Sequence, residues 1–363
     1  VLLLTYTNTL AKYSKYLAHI VGQDQDSIII STADSHILAA LKAAVPGAWI
    51  DFNLPDAVIK DYNATSFLSD DELATEIEDV IWGNLVTRDE YLEKHILRRG
   101  MKQPLNANQR QLVWSIQEKL RTDLIASKRY SANLACARIL EELETSTEYR
   151  AAFLCDRIFV DEGQDLSTAR IRCLKALSKS GVMLAADDGQ SIFRIGSPYL
   201  RAGLSAAGHV RHLHTNFRNT RQIHDFAENY LVPGNTAQES ERANPGYREG
   251  PMPEIITAEN EGELEKSLME YVRLAIGRLG YDPENIGILA PAKWQLEKLG
   301  KRLGAERYVA QNIKDESFKF TTPGVIRLST LHSSKGIEFP VVLLYLPSLV
   351  EMGNFDDKTN AAM

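Results

Sequence analysis

The stretch "RIFVDEGQDLS", residues 157–167, ends an apolar run in two adjacent carboxylates, Asp161 and Glu162, with Gln164 and Asp165 directly behind them. An acid pair at the end of a buried strand suits phosphoryl transfer. The first carboxylate holds Mg2+ directly or through water, and the second polarises the attacking water. A strand end supplies the fixed positioning such chemistry needs. A solvated turn with acids at a helix N-terminus would present the same residues.

Four further stretches carry candidate chemistry. "MLAADDGQSIFR", residues 183–194, again runs from an apolar strand into acids and then Gln190, a neutral amide suited to sensing a phosphate. "LHTNFRNTRQI", residues 213–223, places Arg218 on a turn before a helix, where a bidentate guanidinium suits a phosphate across a cleft. The nearby His209, His212 and His214 do not converge well enough for a metal site. "LSTLHSSKGIEFPVVLL", residues 328–344, joins two strands through a polar loop. Gly336 there permits close backbone approach to a ligand. Thr330, Ser333 and Lys335 suit a nucleic-acid phosphate or sugar, although any polar crossover has this composition. "LLLTYTNTLAKY" at the start offers Thr5, Thr7 and Asn8 as helix caps and Tyr6 as a base-stacking ring.

These residues need elements to hold them. Strand-like runs are expected at 1–5, 27–31, 157–160, 182–186, 211–213, 286–289, 325–329 and 341–345, with helical periodicity between many of them. That alternation predicts an α/β fold with parallel sheets, whose ligands gather at the carboxyl ends of the strands. Thr5, Asp161, Asp187 and Thr330 fall at such ends. Residues 52–150 read as mostly helical. Helix starts are signalled by Ser69 with Glu72, Thr87 with Glu90 and Asn106 with Gln109. The Pro- and Gly-rich stretch 233–253 reads as a linker.

The chain has 363 residues, enough for two domains with full cores. Its net charge of −7 argues against a nonspecific nucleic-acid coat, while leaving room for a local basic groove. Cys136, Cys155 and Cys173 form no C-x-x-C pair, and their odd number without a signal peptide points to a reducing, cytosolic setting. No stretch reaches about 18 apolar residues, so no membrane span is expected. The chain opens at Val1 inside a strand-like run and stops at "DDKTNAAM" without a cap, which reads as a piece of a longer polypeptide.

Taken in order, the five stretches resemble the UvrD/Rep-type superfamily 1 helicases. "LLLTYTN" is similar to that family's motif Ia, "VDEGQD" to motif II, "ADDGQSIFR" to motif III and "NFRNT" to motif IV. "TLHSSKGIEFPVV" is similar to motif V and is the most specific match; "STADSH", residues 31–36, is a looser match to motif Ib. The resemblance spans nearly the whole chain. It implies two RecA-like parallel-sheet cores of the P-loop NTPase type. ATP and Mg2+ would lie between them and single-stranded nucleic acid, DNA with RNA left open, across their tops. It implies Asp161 on the Mg2+ side, Glu162 as general base, Gln190 as γ-phosphate sensor and Arg218 as arginine finger. Gly336 and Glu338 would contact the nucleotide. Tyr6, Thr7, Asn8 and Phe193 would contact the strand, with Thr330, His332, Ser333 and Lys335 beside them.

The organisation this implies is a first core at 1–51 and 131–232, a helical insertion at 52–130, a linker at 233–253 and a second core at 254–363. The second core is expected to be incomplete at its end. It is expected to lack a large inserted mobile domain, because too few residues separate Leu303 from the following strand. The sequence departs from the family in three ways. No G-x-x-x-x-G-K-[ST] phosphate loop occurs; "LGKRLG" at 299–304 lacks the first glycine and the Ser/Thr. The family's loop would lie just upstream of Val1, and its motif VI just beyond Met363. Phe193 is followed by Arg194-Ile195-Gly196, where the family usually shows an aromatic residue and then Arg-Gly. The expectation is the core of an ATP-dependent DNA helicase or translocase, inactive as this piece alone. A motor that remodels complexes without unwinding fits the same residues. The alternative is a non-hydrolysing nucleic-acid or partner-binding module of the same fold.

Overall fold

The structure, a computed structural model, describes residues 1–22, 28–93, 104–186, 198–204, 208–213, 215–230, 244–245 and 248–347. It is a mixed α/β chain built on two four-stranded parallel sheets. The first begins with β1 (Leu2–Thr5), α1 (Asn8–Ile20), β2 (Ile29–Thr32) and α2 (Ala33–Ala44). It continues through β3 (Trp49–Ile50), α3 (Asp70–Thr75), a π-helical turn (Glu76–Trp82), α4 (Arg88–Glu93), α5 (Ala107–Ala126) and β4 (Arg129–Tyr130). Then come α6 (Ala132–Thr145), α7 (Thr147–Phe153), β5 (Ile158–Val160), α8 (Thr168–Ala176) and β6 (Val182–Leu184). The sheet order is β2-β1-β5-β6, with β3 and β4 paired separately.

Helices cover this sheet, so its central strands carry apolar residues on both faces. Leu2, Leu4, Ile158 and Val160 are buried, each contributing about 1.5–3 kcal/mol relative to exposure. Among the described residues expected as a helical insertion, α3, the π-helical turn, α4 and α5 alternate with turns, most of them between 52 and 69, and with β4, and their core is continuous with that of the sheet. Leu73, Ile77, Tyr91, Val113 and Leu120 share one buried cluster with Leu4 and Ile37. Their starts follow the sequence signals. Ser69 with Glu72 and Asn106 with Gln109 close reciprocal capping boxes, and the Thr87 hydroxyl accepts from the Glu90 N–H at 3.3 Å.

After α9 (Pro198–Arg201), β7 (Thr215–Asn216), α10 (Arg221–Tyr230) and β8 (Asn244–Pro245), the second sheet follows. It comprises α11 (Glu261–Arg273), β9 (Ile286–Ala290), α12 (Lys293–Ala305), β10 (Val309–Asn312), β11 (Val325–Thr330) and β12 (Val341–Leu344), in the strand order β10-β11-β9-β12. Its own core holds Ile288, Leu296, Leu299, Leu303, Ile326 and Leu328. Most of the expected linker lies outside the described residues.

One expected strand is absent, and β3, β4, β7, β8 and β10 fall outside the expected runs. Residues 211–213 form no strand; Leu213 is 92% exposed between polar neighbours, so nothing buries a strand face there. Conversely, β10 has no apolar run. Its conformation comes from pairing with β11, Val309 against Val325 through Asn312 against Leu328.

A third cluster joins the two sheets. Leu10 and Tyr13 of α1 pack with Ile313, Phe318 and Phe320 from the segment between β10 and β11, flanked by Tyr16 and Ile337. The buried Arg327 guanidinium donates to the Phe320 carbonyl at 3.0 Å and lies 5.1 Å from that ring's centre. Lys12 donates to the Asp315 carbonyl at 2.9 Å. Phe320→Ala is expected to cost about 3–5 kcal/mol. Urea unfolding followed by circular dichroism checks this, and an unchanged midpoint would show that the seam does not bear on stability.

Candidate functional site

β5 delivers the acid pair between two hydrogen-bonded neighbours. The Asp161 N–H donates to the Leu4 carbonyl of β1 at 2.8 Å, and the Gly163 N–H donates to the Ala185 carbonyl at the end of β6 at 2.8 Å. Between these anchors Glu162 adopts φ 56°, ψ 41°, a left-handed conformation that costs a residue with a β-carbon about 1–3 kcal/mol. Its N–H donates to Asp161 Oδ1 at 3.0 Å. A single 3-10 turn (Gly163–Asp165) follows, and the Ser167 hydroxyl caps α8. Gln164 is buried and donates through Nε2 to Glu162 Oε2 at 2.5 Å. Asp165 is buried too, and its Oδ1 has no hydrogen-bond partner among the described residues.

The 330–338 loop comes up against this turn from the second sheet. The Thr330 hydroxyl accepts from the Ser333 N–H at 3.3 Å and lies 2.8 Å from the Ser333 hydroxyl, closing a short 3-10 turn (His332–Ser334). Gly336 turns at φ 77°, and a β-carbon there would lie 3.0 Å from Leu10 Cδ1 and 3.4 Å from Glu162 Oε1. The Phe339 ring lies directly over the Gly287 backbone of β9, in space that a β-carbon would otherwise fill. The loop is thereby held at both ends, and Lys335 reaches into the acid turn. Its Nζ lies 2.6 Å from Asp165 Oδ2 and 3.4 Å from Glu162 Oε2. Burial opposes the ammonium charge, but the Asp165 and Glu162 carboxylates outweigh it and hold Lys335 above the ordinary lysine pKa.

Arg218 follows β7 on a turn in which its N–H donates to Asn216 Oδ1 at 3.0 Å. Its Nε lies 2.5 Å from Glu338 Oε1. The two residues expected on one nucleotide therefore hold each other, in an exposed pair. Glu162 meets Lys335 and Gly336, with Asp161 beside it in the chain and bonded to the Glu162 N–H. The expected strand contacts divide. Thr7 uses its hydroxyl to cap α1, accepting from the Leu10 N–H at 3.1 Å. Thr330 and Ser333 bond each other, and Tyr6 is half-buried against the first core. Asn8 and His332 are exposed. Gln190 and Phe193 lie outside the described residues.

Sequence reasoning assigned no role to Gln164, Asp165 or Arg170, although "GQD" directly follows the acid pair. Arg170 lies behind the site in a buried polar layer, 3.4 Å from Asp34. Tyr6 belongs to this layer, and burial raises its phenol pKa. So does Glu78, which accepts from Asn133 Nδ2 at 2.8 Å, while the Ser167 hydroxyl donates to Asn133 Oδ1 at 2.5 Å. Burial pushes Glu78 up to about 7, against the Ser131 hydrogen bond and the Arg170 charge. A surface cleft of about 540 Å3, lined by Asn84, Thr87, Glu90, Arg172 and Arg201 among others, shares no residue with the acid turn.

Mg2+ is usually held by one or two carboxylates together with substrate phosphates. Asp161 fits that demand as a single protein ligand, and the described residues contain no cluster of three or more metal-ligating side chains. The sequence contains no G-x-x-x-x-G-K-[ST] motif that would cradle a phosphate. Among the described residues, no helix is long and apolar enough to cross a membrane. No protein-family model matches the sequence, and no curated protein matches it significantly.

Gly336→Ala forces a β-carbon into a left-handed residue against Leu10, and is expected to cost about 1–3 kcal/mol; a thermal or urea melt reads this directly. The folded pKa of Glu78 lies above that of an unfolded glutamate, so folding holds this proton. The resulting stabilisation is complete below the unfolded value and is lost as pH rises through about 7. Glu78→Gln stays neutral throughout. Its stability relative to wild type is expected to be flat in acid and to climb through about pH 7 in a series of melts.

Proposed function

We propose that the chain is the core of an ATP-dependent motor of the UvrD/Rep-type helicase kind, acting on single-stranded DNA or RNA in the cytosol. On this reading the two sheets are two RecA-like cores with the nucleotide between them. The observation that carries it is the meeting of the two most informative motifs. Glu162, next to Asp161 at a parallel-strand end, stands within reach of Lys335 and Gly336 from the other sheet.

Mg2+-ATP would supply the phosphoanhydride whose hydrolysis drives the cycle, with Asp161 as the ion's protein ligand. Glu162 orients the attacking water and takes its proton on a carboxylate oxygen. Gln164 fixes that carboxylate's rotation through its 2.5 Å bond. Arg218 and Gln190 stabilise charge developing on the transferred group. Arg218 must exchange Glu338 for that role. The exchange is feasible because the pair is 56% and 49% exposed and solvent-screened. The second reading, a binding module without hydrolysis, is favoured by the lack of a phosphate-loop motif in this sequence.

The natural full-length polypeptide carrying Glu162→Gln is expected to lose about 100-fold or more of its strand-stimulated ATP turnover while still binding the strand. Full turnover by this variant would remove Glu162 from the mechanism. Wild-type protein that binds the strand but never turns over Mg2+-ATP would favour the binding module.

A further inference from the structure

Three successive residues at the start of α8 bond to groups outside their own helix. The Ser167 hydroxyl donates to Asn133 Oδ1 at 2.5 Å, and Asn133 Nδ2 donates in turn to Glu78 Oε1 at 2.8 Å. The Thr168 hydroxyl donates to Asn84 Oδ1 at 3.1 Å, and the Ala169 N–H donates to the Gly83 carbonyl at 2.9 Å. Asn84 is the hub of this arrangement. Its Nδ2 donates to the Asp79 carbonyl at 2.8 Å and to the Val80 carbonyl at 3.2 Å, both in the π-helical turn. Its own carbonyl accepts from Arg201 Nε of α9 at 2.6 Å, and the same arginine grips the Glu90 carboxylate through two bonds of 2.6 Å. We propose that Asn84 is a positioning residue for Glu162: it fastens the start of α8, and with it the acid turn, to the π-helical turn. This rests on the role given to Glu162 in the motor proposed above and adds what holds its turn from behind.

The geometry leaves the acid turn little slack. The Asp165 N–H donates to the Glu162 carbonyl at 3.1 Å, and the Leu166 N–H donates to the Gly163 carbonyl at 3.2 Å. The turn therefore runs in closed steps from Glu162 into the Ser167 cap. The first sheet holds its entry through Asp161 and Gly163, and α8 holds its exit. Asn84 and Thr168 are 8% and 2% exposed, so water is a poor substitute for a lost partner. A helix end leaves its last carbonyls open, and Asn84 satisfies two of them while its oxygen takes the neighbouring helix. One buried amide thus specifies a single placement of the π-helical turn against α8. Turns of this kind recur at functional sites.

The test compares Asn84→Ala with Thr168→Val, which removes the hydroxyl and nearly keeps its shape, and with the double variant. In this chain, amide exchange at Asp165 and Leu166 is expected to quicken about tenfold in either single variant, while the amides of β9 and β11 keep their wild-type rates. In the natural full-length polypeptide, kcat for strand-stimulated Mg2+-ATP turnover is expected to fall about 10- to 100-fold with KM unchanged. The double variant should lose no more than the worse single one, because both act through one bond. Asn106→Ala removes a helix cap elsewhere in the insertion; it is expected to lower Tm and leave kcat at the wild-type value, which separates positioning from general loss of stability. Thr168→Val carries the comparison if Asn84→Ala fails to fold. Unchanged exchange at Asp165 and Leu166, wild-type kcat in the folded variants, or losses that add in the double variant would each overturn the proposal. If the wild-type full-length polypeptide turns over no Mg2+-ATP, the motor reading fails, and the exchange measurement alone decides whether Asn84 holds the acid turn.

Discussion

The contact between α1 and the second sheet sets how the acid turn of the first sheet meets the 330–338 loop of the second. Leu10 and Tyr13, one turn apart on α1, meet Ile313, Phe318 and Phe320 across a seam closed by Arg327. α1 starts directly after β1 and is pinned there by the Thr7 cap. The helix thus ties the carboxyl end of the first sheet to the loop that follows β11 in the second. Leu10 lies as close as 3.0 Å to the space above Gly336, so the same residue that fills the seam also sets the height of the loop. Moving the sheets apart would have to break this apolar contact as well as the ion pairs beside it.

The ionic contacts beside the seam differ in weight. Lys335 comes from the second sheet onto the acids of the first, and Arg218 reaches the second sheet's Glu338 from a turn after the first sheet. Exposed pairs are worth about 0–1 kcal/mol, whereas stripping one partner from a buried pair costs about 3–5 kcal/mol. Arg218 with Glu338 belongs to the first kind. Lys335 with Asp165 approaches the second, since the acid is almost wholly enclosed. The arginine is therefore free to change partners at little cost, whereas the lysine is held firmly where it stands. Distance in sequence hides this distinction, because Lys335 and Asp165 are 170 residues apart.

Local physics was legible in the sequence. The runs at Leu2, Ile158 and Val325 announced parallel strands because both faces of such strands are buried. Ser69 and Asn106 announced helix starts because a cap needs only three residues to form. What escaped depends on partners elsewhere. The strand character of β10 belongs to β11, and the π-helical turn at Glu76–Trp82 carries no local marker. At the site, Asp161, Glu162, Lys335 and Gly336 were named from residue type and order. Their mutual contacts were not, and the roles of Gln164, Asp165 and Arg170 emerge only once burial is known.

The opening ambiguity over the acid pair can be weighed physically. The left-handed φ of 56° at Glu162 does not decide this alone, since Leu85, Lys128 and Arg307 share it at other turns. A solvated turn, however, has no reason to bury Gln164 and Asp165 and leave Asp165 Oδ1 without a partner. Each feature costs free energy: about 1–3 kcal/mol for the backbone and a similar amount for the unsatisfied oxygen. Hydrogen bonds to Leu4 and Ala185 on the flanking strands hold the strained turn in place. The sheet thus offsets a local conformation that the turn would not choose alone, and the result is a carboxylate aimed by the backbone and locked by Gln164. Burial of Gln164 and Asp165 goes beyond what acids that merely cap a helix need.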